Sequence, residues 1–214
     1  MMMTTRLRSR WLGMAAAVAC ALWSLSLVDS ASGVAGFSDV GSDQYYTEAV
    51  QWMVDRGITV GVSPGCFAPE APVTRGQAAA FIWRMEGEPR PASPHGFGDV
   101  VEPWQHDAVS WMSQAGITTG TSPTTYEPSR AVTRGELAVL IWRLAGEPRA
   151  RAHPFVDVVA PWQQDAVSWM SRRGITTGTS PTTFSPERTV TRGQLATFFH
   201  RYKGAPSVNV DTDH

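Results

Sequence analysis

The sequence predicts a mostly α-helical fold in which three helix–loop–helix repeats close into one pseudo-threefold domain around a common core. Three observations carry that expectation. One five-residue signature occurs three times, as Val73-Thr74-Arg75-Gly76-Gln77, Val132-Thr133-Arg134-Gly135-Glu136 and Val190-Thr191-Arg192-Gly193-Gln194. Trp52, Trp111 and Trp169 recur with it at steps of 59 and 58 residues. This period is longer than the common helical solenoid repeats and shorter than a comfortable independent domain, so the three units are expected to share a core. Finally, each unit holds two segments with apolar residues at helical spacing.

Residues 1–35 come first. Arg6, Arg8 and Arg10 supply a positive start, Trp11 to Val28 an apolar stretch, and small residues follow. That is the pattern of a secretory signal peptide, with a retained membrane anchor as the alternative because the apolar run is near spanning length. The repeats are placed at 37–89, 97–148 and 155–206, and residues 207–214 are expected to form a flexible tail. Each repeat opens on Phe-x-Asp-Val, at Phe37, Phe97 and Phe155.

In the second repeat Ala108, Trp111, Met112 and Ala115 share one helical face, and Gly116 stands where a left-handed cap ends the helix. Ile117 to Thr121 reads as a short extended piece, and Ser122 to Pro128 as turn chemistry. Thr133 starts the second helix with a capping box. Its hydroxyl accepts from the backbone N–H three residues on, and the Glu136 side chain reaches back to the cap. Leu137, Leu140, Ile141 and Leu144 give that helix its apolar face, Gly146 ends it, and Pro148 prevents continuation. The third repeat matches this order. The first diverges, with one extra entry-loop residue and Tyr45 where the others carry Trp104 and Trp162.

Composition narrows the function classes. A formal net charge of −1 with 43% hydrophobic residues describes a folded globular chain without the basic face of a nucleic-acid binder. Of two cysteines, Cys20 lies in the leader and Cys66 has no repeat equivalent, so no disulfide framework is expected. The five histidines do not share one repeat position. No catalytic constellation, metal-ligand spacing or phosphate-binding loop stands out. The expectation is therefore a non-enzyme without cofactor or metal.

The capping box explains Thr and Gln or Glu but not the arginine. A guanidinium at a helix start opposes the helix dipole, so three such placements call for local compensation. Two readings stand side by side for Arg75, Arg134 and Arg192. One is an acidic ligand, gripped by the planar guanidinium fork and by helix N–H groups that glycine lets it approach. The other is a brace onto Asp39, Asp99 or Asp157. Tyr45, Trp104 and Trp162 are read either as stacking platforms for sugar rings or as core or lid residues of the first helices.

The ordered motif series, Phe-x-Asp-Val, Ala-Val-x-Trp-Met, Gly-Ile-Thr-x-Gly, an aromatic-x-Pro turn and Val-Thr-Arg-x-Gln/Glu, resembles the S-layer homology domain over Phe37 to Gly204. The resemblance implies a three-pronged pseudo-trimer, each repeat giving one prong of two helices and a loop. It implies a secreted, monomeric module that holds non-covalently to a secondary cell-wall polysaccharide of Gram-positive bacteria, often a pyruvylated one, in grooves between prongs. The family's motif arginine then maps onto Arg75, Arg134 and Arg192, its loop aspartate onto Asp39, Asp99 and Asp157, and its entry-loop aromatic onto Tyr45, Trp104 and Trp162. Here Gly76, Gly135 and Gly193 replace the usual alanine, at about 1 kcal/mol of helix propensity each. The rival reading is a structural protein–protein module of a surface assembly. Replacing Arg134 with Ala is expected to weaken glycan binding and leave the fold intact.

Overall fold

The computed structural model describes residues 33–210, so the expected leader lies outside the described residues up to residue 32. Among the described residues six helices follow one another: α1 (Thr47–Asp55), α2 (Arg75–Met85), α3 (Pro103–Gln114), α4 (Arg134–Leu144), α5 (Pro161–Arg172) and α6 (Arg192–Tyr202). Among the described residues the only β-pairing is a set of isolated bridges. The expected extended piece at Ile117–Thr121 joins no sheet. The N–H groups of Ile117 and Thr118 both turn back to the Met112 carbonyl (2.8 and 3.2 Å) and finish α3 instead.

The helix ends follow local chemistry. Pro103 and Pro161 open α3 and α5 at the first turn, where a missing N–H costs no helical bond. Thr74, Thr133 and Thr191 cap the second helix of each repeat, their hydroxyls accepting from the N–H of Gln77, Glu136 and Gln194. The reciprocal half of the box forms at Thr74 and Thr133. It does not form at Thr191, where the Gln194 Oε1 is buried without a partner among the described residues. Gly57 and Gly116 end the first helices at φ +67° and +70°, conformations in which a Cβ is strained.

Closure comes from three valines at the centre. Val73 N–H donates to Val190 O (2.9 Å), Val132 N–H to Val73 O (2.9 Å) and Val190 N–H to Val132 O (3.0 Å). This ring of backbone bonds runs through all three repeats, and all three side chains are fully buried. The helices pair across repeats: α2 with α3, α4 with α5, and α6 with α1. The expectation that each repeat supplies both helices of one prong is therefore corrected. Each pair joins the second helix of one repeat to the first helix of the next, and α6 against α1 shuts the circle. Such an arrangement leaves no repeat able to bury its apolar face alone.

The shared core confirms most of the helical faces. Ala108, Met112, Leu137 and Ile141 are all fully buried. Ala115, expected on the same face, is exposed because α3 stops at Gln114. Trp52 and Trp169 lie in the core, and Trp111 packs against it while partly exposed. Trp83 and Trp142 fasten the linker that follows each helix, their indole N–H groups donating to Pro89 O and Pro148 O, both at 2.9 Å. His200 holds Pro206 O at 2.9 Å from the equivalent position. Val34 is fully buried ahead of Phe37, and Val208 and Val210 of the expected tail pack against the core.

The arginine-pinned repeat junction

The signature arginines sit where one repeat meets the next. Arg75 Nε donates to Tyr126 O (2.7 Å), Arg134 Nε to Phe184 O (2.8 Å) and Arg192 Nε to Phe67 O (2.6 Å). Each thus reaches the aromatic-x-Pro turn of the following repeat, and the third reaches back to the first. The guanidinium lies over the ring of that same aromatic, 4.7 Å from Tyr126, 4.7 Å from Phe184 and 4.5 Å from Phe67. All three arginines are buried. The aromatic of the turn, conspicuous in the sequence as punctuation, is the platform for the arginine's flat face.

The aspartates grip the same turn from its other side. Asp99 accepts from Tyr126 N–H (2.8 Å) and Glu127 N–H (2.7 Å), and Asp157 from Phe184 N–H (2.8 Å) and Ser185 N–H (2.7 Å). Asp39 accepts from Phe67 N–H (2.8 Å), Ala68 N–H (2.6 Å) and the Cys66 thiol (3.3 Å). The turns need this support, because Ala68, Glu127 and Ser185 stand at φ +57°, +59° and +57° without being glycine. Arginine and aspartate therefore clamp one peptide unit between them. The expected brace exists, yet it runs through the turn's backbone and not through a direct arginine–aspartate pair.

The helix starts are equally occupied. The N–H groups of Arg75 and Gly76 donate to Arg130 O and Pro128 O, those of Arg134 and Gly135 to Arg188 O and Pro186 O, and those of Arg192 and Gly193 to Ala71 O and Pro69 O. Donors that an anion was expected to find open are thus taken by the next repeat's turn, which satisfies the orphan groups of each helix N-terminus. Glycine has a packing reason instead. A Cβ at Gly76 would stand 2.5 Å from Gln105 Nε2, one at Gly135 2.4 Å from Gln163 Nε2, and one at Gly193 2.7 Å from the Tyr46 ring.

That difference yields a prediction. The end of a glutamine swings aside cheaply, so Gly135→Ala is expected to shift stability by less than about 1 kcal/mol, clash set against helix propensity. The Tyr46 ring is rigid and buried. Gly193→Ala is expected to cost about 2 kcal/mol, and to cost much less when introduced into a Tyr46→Gln background. Equal thermal shifts for the two glycine variants would contradict the packing account.

Burial sets the electrostatics. It pushes the guanidinium pKa of Arg134 down to about 10, with neighbouring Arg188 adding to the effect, and that of Arg192 likewise to about 10. Arg75 has a carboxylate within reach, Glu136 at 3.3 Å. The Arg192 Nη2 is buried without a partner among the described residues. Burial raises the carboxyls of Asp99 and Asp157, but their backbone N–H donors outweigh it and hold both below the ordinary carboxylate value.

What faces solvent at each junction is aromatic. Tyr45, Trp104 and Trp162 are 59%, 47% and 53% exposed, which rules out a core role for all three. Each precedes the residue packed on the signature glycine: Tyr46 on Gly193, Gln105 on Gly76 and Gln163 on Gly135. The exposed rings therefore flank the buried arginines at equivalent places. His95 and His153 also proved equivalent, their Nδ1 atoms accepting from Phe97 N–H and Phe155 N–H. Sequence reasoning missed the cations Arg56, Arg84 and Lys203, which gather at the far end of α2. The recurrence of Arg84 as Arg143 and Arg201 was the available signal.

Three interlocked junctions flanked by exposed aromatics define a repeat-built module, and among the described residues no group of side chains is placed to hold a metal ion. The chain belongs to the S-layer homology domain family, whose profile matches residues 36–79, 96–138 and 154–196. It is 29% identical over 181 residues to the surface-layer 125 kDa protein of Lysinibacillus sphaericus, covering 81% of this chain and 15% of that protein. It is 26% identical over 172 residues to an S-layer protein of Bacillus thuringiensis subsp. finitimus, covering 76% of this chain and 20% of that one. An endoglucanase of Bacillus sp. (strain KSM-635) is 31% identical over 102 residues, 47% of this chain and 11% of the enzyme. The chain thus spans a fifth or less of the length of these relatives. Family membership makes it a cell-surface protein and points to a non-catalytic anchoring module. No helix among the described residues is long and apolar enough to cross a membrane.

Proposed function

We propose that the chain attaches to the cell envelope by binding a cell-wall polysaccharide, pyruvylated or otherwise acidic, at its repeat junctions, reversibly and without turnover. The observation that carries this reading is the exposure of Tyr45, Trp104 and Trp162 at equivalent positions beside the pinned turns. A large aromatic left in water offers its face to the apolar face of a sugar ring. In this reading Arg75, Arg134 and Arg192, with Asp39, Asp99 and Asp157, frame the binding surface from beneath. Their positive and negative charges set the potential that an acidic polymer meets, and the unpartnered Arg192 Nη2 is the donor best placed to be recruited.

Co-sedimentation with purified wall sacculi, before and after chemical removal of the wall polysaccharide, tests this reading. Trp104→Ala with Trp162→Ala is expected to weaken sedimentation roughly thirtyfold with the melting temperature unchanged, since each stacking contact is worth about 1 kcal/mol and both rings are exposed. Sedimentation untouched by the double variant or by stripping the polysaccharide refutes the reading. Retention only in the presence of a protein partner points instead to a protein–protein module of a surface assembly.

A further inference from the structure

We infer that the domain carries a second binding site, for a small oxyanion (a carboxylate or a phosphate), in a cationic cavity remote from the pinned junctions. The cavity measures about 360 Å³ and is lined by Trp52 of α1, Arg56 at the end of that helix, Arg84 and Met85 at the end of α2, and Lys203 just after α6. The step along α2 from its cap Thr74 to Arg84 places the cavity about 15 Å from the helix start, at 1.5 Å per residue.

Three cations lining one small space repel one another unless something negative sits among them. Arg84 has a structural reason to be there: its Nη1 donates to Ile58 O at 3.3 Å, as Arg201 does to Ile175 O at 3.4 Å, and a cation suits a helix C-terminus. Lys203 pairs with Glu86 at 2.8 Å, which offsets one charge. Arg56 has no such account: the residue is exposed, and its side chain makes no hydrogen bond or ion pair among the described residues. An independent observation comes from the cavity wall. Trp52 is 3% exposed, and its indole N–H has no acceptor among the described residues. A buried donor left unpaired is a standing cost that an acceptor-bearing ligand removes.

The trio is not part of the repeated design. At the corresponding positions the chain has Ala115, Arg143 and Glu86 where the first and second repeats meet, and Arg173, Arg201 and Ala145 where the second and third meet. Only the junction of the third repeat with the first assembles all three cations. A feature needed for folding would recur with the fold. An oxyanion fits because its several lone pairs serve guanidinium, ammonium and indole donors together.

The folded chain, labelled with 15N, is titrated at low ionic strength with inorganic phosphate, with glucuronate, and with glucose as the neutral control. The expected result is movement of the Trp52 indole resonance and the Arg56 and Arg84 Nε–H resonances with an anion and not with glucose. Arg56→Gln with Lys203→Gln, both at exposed positions, is expected to weaken the anion's affinity roughly tenfold or more, as loss of charge-assisted contacts implies. Response to phosphate alone assigns a phosphate site, and response to glucuronate alone a carboxylate-bearing sugar. No movement at these resonances, or full binding by the double variant, overturns the inference. Wall co-sedimentation of the same double variant keeps the two proposals apart. Wild-type sedimentation without anion-induced shifts sinks the cavity and leaves the anchor standing, whereas anion shifts without sedimentation do the reverse.

Discussion

Arg134→Ala is expected to destabilise the domain by about 3 kcal/mol, lowering the melting temperature by about 6–12 °C for a chain of this size. The expectation that this substitution leaves the fold intact does not survive the geometry. Arg134 is 3% exposed, stacks at 4.7 Å on Phe184 and 5.2 Å on Phe198, and donates to the Phe184 carbonyl. Truncation leaves a cavity between two rings and a carbonyl without its donor, and the two effects add. One offset limits the loss. The guanidinium is already penalised by burial, as its depressed pKa shows, so removing the charge returns part of the cost. Arg134→Met separates these contributions, because it refills the volume, removes the charge and still orphans the carbonyl. It is expected to recover about half of the loss. A melting temperature within about 2 °C of wild type for Arg134→Ala would show that the junction does not depend on this side chain. Any wall-binding defect of the variant has to be measured well below its lowered melting temperature, so that lost contact is not confused with lost fold.

Much of the architecture was legible because it is written in local rules repeated three times. Thr133 followed by Glu136 announces a helix start, Gly116 a helix end, and Leu137 with Ile141 an apolar face, each needing only neighbouring residues to be read. Which helix covers that face is a different kind of information. The pattern at Ala108 and Met112 says that a partner exists, and nothing local says that the partner is α2 of the previous repeat and not α4 of the same one. Chain order favoured the second, and the ring of bonds among Val73, Val132 and Val190 enforces the first.

The site was legible in residue type and not in role. Arg134 was singled out because a cation at a helix start lacks local justification, and the inference that something must compensate it was sound. The compensating groups are the Phe184 ring and carbonyl, fifty residues on, which no spacing argument reaches. Gly193 in place of alanine read as a weakness of the helix until the Tyr46 ring appeared against it. The aromatics behaved in the opposite way. Trp83 and Trp142, off every apolar stripe, turned out to fasten linkers, whereas Trp104 and Trp162 kept their faces in water.

Asp157→Ala carries the other large expected effect, about 3 kcal/mol, since two charge-assisted bonds to backbone donors vanish together and partial exposure of the site reduces their worth. The donors are the N–H groups of Phe184 and Ser185, and Ser185 holds a left-handed conformation that nothing else so directly supports. Loosening that turn also displaces the carbonyl that receives Arg134, so Asp157→Ala with Arg134→Ala should cost less than the two single losses combined. The carboxylates make the effect depend on pH. Asp99 and Asp157 are both held below their ordinary value of 3.8, so on acidification the unfolded chain takes up protons before the folded one does. Their contribution is complete above about pH 5 and drains away as pH falls through about 4 and below. Urea midpoints measured at about pH 7, 5 and 3.5 should therefore fall steeply at the last step in wild type and less steeply in Asp99→Ala with Asp157→Ala. If the double variant loses as much on acidification as wild type does, the acid sensitivity belongs to other carboxylates and the clamp on the turn is weaker than its geometry implies.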